Sequence, residues 1–173
     1  MNATEWLNAL RETAQKPAIP ILSFPSVSLL GINVQELVSS EDLQAGGMKA
    51  ISERVPSGAA VSMMDLSVEA EAFGSAVRFD PMDVPAVTNI IVHNEAEARA
   101  LEVPSVGAGR TGLYISAIAK AARLIQDRPV FAGMIGPFSL SGRLLGVSET
   151  LLYCYDDPEL VEIVMEKATR FLI

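Results

Sequence analysis

Asp65 is the residue best placed by its neighbours to do chemistry. It ends the apolar run 59–64, which reads as a short strand buried on both faces. A carboxylate at the carboxyl end of a buried parallel strand stands where α/β folds put their active sites. The same carboxylate would equally serve to cap the Ala- and Glu-rich helix expected over 67–73, which Gly74 closes. Within that helix Glu69 and Glu71 point to different faces. They form no acid–base pair, yet one of them is within reach of the mouth of a site at Asp65. Arg143, a lone cation behind the turn 136–142, either holds an anionic group of a substrate or rests in solvent.

Other patterns are weaker. Gly107, Gly109 and Gly112 match the G-x-G-x-x-G of dinucleotide-binding folds. That fingerprint needs a strand, a tight turn and then a helix. Residues 101–106 contain Glu102 and Pro104 and make a poor central strand, so the glycines read as a flexible start to the next helix. The chain has one histidine, His93, and one cysteine, Cys154. That inventory excludes an internal disulfide and a His/Cys zinc cluster built by the chain alone. Cys154, between Tyr153 and Tyr155, reads as a small packed residue.

Composition narrows the class. Half of the 173 residues are hydrophobic (50%) and 20% are charged, which excludes a disordered tail. The 21 acidic residues against 13 basic ones give a net charge of -8. Such a surface repels phosphate backbones and anionic lipid, so neither nucleic acid nor membrane is an expected partner. No apolar stretch approaches the ~18 residues of a membrane span, and no signal peptide is visible, so the cytoplasm is the expected location.

The elements that must position these residues follow from periodicity. A helix from Thr4 to about Ala14 is stopped by Pro17. Residues 17–31 carry prolines at 17, 20 and 25 and read as extended. Ser39 with Asp42 has capping-box spacing and predicts a helix to about Arg54, with Leu43, Gly47, Ala50 and Ile51 inward. Strands are expected over 59–64, 76–79 and 130–135, and a loop over 80–85. Asn94 should cap a helix over 95–101, and a long helix is expected over 109–126. Short helices over 140–145 and 149–153 precede a last one opened by Asp157 and Pro158. Strands alternating with helices imply an α/β fold with parallel strands. There is too little sheet for a complete α/β domain, so the chain reads as the front portion of a longer protein.

Two stretches taken together carry a family resemblance. Residues 64–74, with Met64-Asp65 and Glu69-Ala70-Glu71-Ala72, and residues 135–146, with Gly136-Pro137-Phe138, resemble the uroporphyrinogen decarboxylase superfamily. The closer branch is that of the methylcobalamin:coenzyme M methyltransferases. The stretch 20–31 and the Gly109-Arg110 helix start are similar to the same branch, and the similarity spans about residues 17–172.

The resemblance implies a TIM-type (β/α)8 barrel, which typically needs ~250 residues. This chain would be its amino-terminal portion: a leading helical segment 1–56, then the first barrel strands and helices in 57–173. It implies a catalytic role for Asp65 beside an open cavity, and substrate contacts from Ser26, Glu69, Phe138 and Arg143. Relatives use zinc and a methylcobalamin partner, with His-x-Cys ligands that this sequence lacks, so no metal or cofactor is expected on this portion itself. The implied partners are the carboxyl-terminal half of the barrel, a corrinoid protein and further copies of the chain. The implied activity is corrinoid-dependent methyl transfer to a thiol, with this portion inactive alone. The alternatives are a true uroporphyrinogen decarboxylase of porphyrin and heme biosynthesis, or a non-catalytic half-barrel that acts by assembly. Against the decarboxylase, the arginine-rich segment that would hold substrate carboxylates is replaced here by Ser23-Phe24-Pro25-Ser26-Val27-Ser28.

Overall fold

The computed structural model describes residues 3–173. In chain order the elements are α1 (Ala3–Glu12), α2 (Ser26–Leu30), α3 (Val34–Val38), α4 (Glu41–Arg54), β1 (Ala60–Val61), α5 (Val68–Ala72), β2 (Val77–Arg78), β3 (Ala86–Val87), α6 (Glu95–Ala100), α7 (Thr111–Leu124), β4 (Val130–Phe131), α8 (Pro137–Leu145), α9 (Val147–Asp156) and α10 (Pro158–Leu172). They form two compact units, each built from separated stretches: Met1–Met64 with Leu113–Gly133, and Asp65–Gly112 with Met134–Ile173. Among the described residues no helix is long and apolar enough to cross a membrane.

The first unit holds the parallel pair. Ala60 lies opposite Val130 and Val61 opposite Phe131. The strands are shorter than their apolar runs because the ladder ends where backbone partners end. Beyond it the side chain of Ser62 takes over, its Oγ accepting from Gly133 N at 2.7 Å. One side of the pair is covered by Ala45 and Met48 of α4 with Ala121 and Ile125 at the end of α7. Trp6 of α1 meets Phe131 edge to face at 5.1 Å, and its indole N–H donates to Gly58 O at 3.0 Å.

Local chemistry explains where expectation and structure part here. The stretch 17–31 is not extended throughout. Pro25 pre-sets the helical φ and α2 begins directly after it, ending at Gly31 with φ 67. A helix absent from the expectations, α3, is opened by a true capping box, with Asn33 and Glu36 each bonding the other's backbone N–H. The cap of α4 is Ser40, one residue beyond the expected Ser39. Its buried face runs through Gln44, Ala45, Gly47, Met48 and Ser52, so Leu43, Ala50 and Ile51 lie at the edge of that face.

Gly47 is buried because α2 crosses it: a Cβ there would stand 2.5 Å from Ser26 Oγ and 3.1 Å from Ser26 Cβ. Ser26 is 1% exposed and has no free space to withdraw into. Gly47→Ala is therefore expected to lower stability by about 1–3 kcal/mol. Denaturant unfolding reads this directly, and Ser26→Gly in the same chain should recover part of the loss. An unchanged midpoint would show that the α2–α4 contact is loose.

The second unit is a helical layer around one apolar core of Leu140, Leu144 and Leu145 from α8 and Leu160, Val161, Val164 and Ala168 from α10. Phe73 closes it edge to face against Phe171 at 5.2 Å. The buried face of α10 runs through Leu160, Val161, Val164 and Ala168, and Asp157 caps the helix as expected, through Leu160 N at 3.3 Å. Asn94 caps α6 as expected. The run 76–79 does form a strand, β2, but its partner is β3, antiparallel, with Val77 opposite Val87. The loop between them is tied by Asp80 Oδ1, which accepts from Met82 N at 2.7 Å.

Candidate functional site

Asp65 follows β1 by four residues of chain and opens α5 through a turn. Its Oδ1 accepts from the backbone N–H of Ser67 at 3.0 Å and from Ser67 Oγ at 2.6 Å. This is the two-residue loop that an Asp forms with its own backbone, so part of the capping alternative is realised. Its Oδ2 accepts from Arg110 Nη1 at 2.7 Å. The carboxylate side chain is 0% exposed. Asp65 therefore does not face an open cavity, contrary to the expectation: a guanidinium lies where solvent or substrate would have been.

Arg110 is the centre of the cluster. Its Nη2 donates to Ser67 Oγ at 2.9 Å and its Nε to Glu71 Oε2. The Phe79 ring lies 4.8 Å from the guanidinium carbon, a cation–π contact. Ser67 Oγ donates to Asp65 and accepts from Arg110, so its valences are satisfied in both directions. Such a desolvated arrangement, one guanidinium fork serving three acceptors, fixes the 65–67 turn far more tightly than a surface ion pair would.

The glycines explain how Arg110 gets there. Gly107 and Gly109 have φ 84 and 56, conformations that other residues adopt only with strain. A Cβ on Gly109 would stand 3.4 Å from Ala72 Cα, and one on Gly112 would stand 2.9 Å from Gly107 O. The glycine pattern thus lets the loop pack against α5 and present Arg110 to Asp65 and Glu71. It holds a side chain rather than a phosphate.

Glu69 lies in the same unit, 9% exposed. Its Oε1 accepts from Ile135 N at a long 3.4 Å. Its Oε2 is buried without a partner among the described residues. Burial raises the pKa of this carboxyl above 4.5 and the neighbouring Asp65 adds to the rise, while hydrogen bonds from its own and the Ile135 N–H and the charge of Arg110 oppose it.

The remaining expected site residues are dispersed. Phe138 is 45% exposed on the first turn of α8. Arg143 is half-buried in the last turn of α8 and makes no ion pair or hydrogen bond among the described residues. Ser26 belongs to the first unit and its hydroxyl is engaged, donating to Ser23 O at 2.6 Å, while Ser23 Oγ donates to Ser62 O at 2.9 Å. His93 and Cys154 are both exposed. Among the described residues no group of three or more His, Cys, Asp or Glu side chains lies together as metal ligands. The residues present do not fit a zinc ion.

Residues 17–173 match the family Uroporphyrinogen decarboxylase (URO-D), and the chain belongs to it. Methylcobamide:CoM methyltransferase MtbA of Methanosarcina acetivorans is 33% identical over 84 residues, a match covering 47% of this chain and 25% of that protein. The solved structure of a methyltransferase from Methanosarcina mazei superposes with a TM-score of 0.82 at 22% identity, covering 97% of this chain and 52% of that one. The fold is thus the amino-terminal portion of a TIM-type barrel, helix-rich with few parallel strands, and the chain spans about half the length of that solved relative.

Proposed function

We propose that this chain is the amino-terminal part of a URO-D-family methyltransferase that passes a methyl group from a corrinoid protein to a thiol. The observation that carries this reading is the 33% identity to a methylcobamide:CoM methyltransferase over 84 residues. The stretch 23–28 supports it. A substrate with many carboxylates needs cationic partners. This stretch has none, and the hydroxyls of Ser23 and Ser26 are already donated to backbone carbonyls.

On this reading zinc and the corrinoid are held by residues outside this chain, in the carboxyl-terminal half and in the partner protein. When bound, they supply an activated thiolate and the methyl group. The residues of this chain hold and orient. Arg110 fixes the Asp65–Ser67 turn, so Asp65 is a positioning residue before it is anything else. Phe138 offers an apolar contact, and Arg143 a cation for an anionic end of the thiol substrate.

The test is to assay the chain alone and mixed with a separately expressed carboxyl-terminal half of the Methanosarcina acetivorans relative. Methylcobalamin and a thiol bearing an anionic group are supplied, and loss of the methylcobalamin absorbance is followed. Methyl transfer in the mixture and none from either half alone is the expected result. Decarboxylation of uroporphyrinogen under the same conditions, without methyl transfer, would replace this reading with the decarboxylase.

A further inference from the structure

Glu69 is a buried acid that neither the Asp65–Arg110 cluster nor the proposed methyl transfer uses. It is nine-tenths buried, yet among the described residues its carboxylate meets, beyond its own backbone N–H, one donor from elsewhere in the chain, the Ile135 N–H at a long 3.4 Å. The other oxygen has no partner among the described residues. An ionised carboxylate normally collects several donors, and leaving one of its oxygens dry is costly.

The position of the Ile135 donor matters. Ile135 sits in the loop that delivers Gly136, the N-cap of α8, and Pro137, its first residue. Ile135 is itself 3% exposed and part of the unit's core. Glu69 therefore joins α5 to the start of α8 through one bond, and the first turn of α8 carries Phe138.

We propose that Glu69 is a proton-dependent latch on the loop 134–136: neutral, it fits its buried site and keeps Ile135 and the start of α8 in place; ionised, it accepts more strongly from the Ile135 N–H, yet the cost of burying an anion with an unsolvated oxygen outweighs that bond and the loop opens. Water reaching Oε2 in the open form is what the closed form denies it. The direction of the pKa shift agrees. A group whose folded value is raised favours the closed state while protonated, and that contribution is lost as pH rises from 4.5 through the raised value.

The charges around Glu69 do not cancel this. Asp65 acts against ionisation and Arg110 in favour of it, but Arg110 is already shared between Asp65 and Glu71. The only charged side chain of α8, which packs on α5, is Arg143, in its last turn at the end away from Ile135. On α10, which reaches α5 through Phe171, Glu159, Glu162, Glu166 and Arg170 are exposed, and Lys167 donates to the carbonyls of Arg99 and Leu101. The inference does not depend on which reaction the family member performs.

Amide hydrogen exchange of the chain, corrected for intrinsic rates, tests it. Protection of the Ile135 amide should fall by about threefold or more between pH 5 and pH 8, and by no more than about tenfold per pH unit, the limit for one linked proton. In Glu69→Gln, permanently neutral and of the same shape, Ile135 should stay protected across the range. Glu69→Leu should lower its protection at every pH. The amides of Ile91 and Val92, both bonded to Leu144 O in the same unit, should not share the dependence. The same pH dependence in Glu69→Gln overturns the proposal, and so does a fall shared equally by Ile91 and Val92. If Glu69→Leu does not fold, the comparison of wild type with Glu69→Gln alone decides.

Discussion

Arg110→Met is expected to destabilise the protein by about 3–5 kcal/mol, the range for breaking a buried ion pair by removing one partner. The reason is what remains. Asp65, with a side chain 0% exposed, would keep its bonds to Ser67 but lose the cation 2.7 Å away. Ser67 Oγ would lose its donor, and Glu71 would lose its partner. Arg110→Lys should recover little, because an ammonium on a flexible stem cannot serve Asp65, Ser67 and Glu71 from one planar fork while lying over Phe79. Denaturant unfolding measures both variants. A loss below about 1 kcal/mol, the scale of an exposed pair, would show that the cluster is wet rather than buried.

This cluster was only half legible in the sequence. Asp65 stood out because it ends an apolar run, a short-range signal. Arg110 pairs with it across 45 residues of chain, and no spacing rule reaches that far. The glycines at 107, 109 and 112 were visible, but their pattern resembles a phosphate loop. What they serve became clear only once Gly109 lay against Ala72 and Arg110 against Asp65. The available signal was a single arginine inside a glycine-rich loop, next to a helix start.

Helices whose ends carry side-chain caps were readable, as α6 and α10 show through Asn94 and Asp157. α3 carries an equally good cap signal in Asn33 and Glu36, but its five residues are too few for an apolar period to mark a helix behind it. Of the hairpin, β2 was readable as the run 76–79, but its partner β3 was not: β3 is two residues long with no buried side chain, so no alternation marks it. The extended reading of 17–31 failed at its end because a proline that breaks a strand also starts a helix well.

Asp65 itself separates the structural from the catalytic account. Asp65→Asn keeps an oxygen for the Ser67 N–H at 3.0 Å but removes the charge facing Arg110. Arg110 would still be paired with Glu71 and is 13% exposed, so it retains one anion and some water. The expected cost is about 1.5–3 kcal/mol, smaller than for Arg110→Met, because the charge left behind is better served. Asp65→Ala, which also abolishes the turn bonds, should cost about 1 kcal/mol more. Combining Asp65→Asn with Arg110→Met should cost clearly less than the sum of the two, since both remove the same interaction. Strict additivity would mean that the 2.7 Å contact contributes nothing to stability. On the proposed reading, a positioning Asp65 requires that, in the complemented enzyme, Asp65→Asn retain most of the turnover once the protein is folded. A loss of turnover of a hundredfold or more (on the order of 3 kcal/mol in the barrier) in a variant that unfolds with only the expected penalty would restore the carboxylate to the chemistry itself.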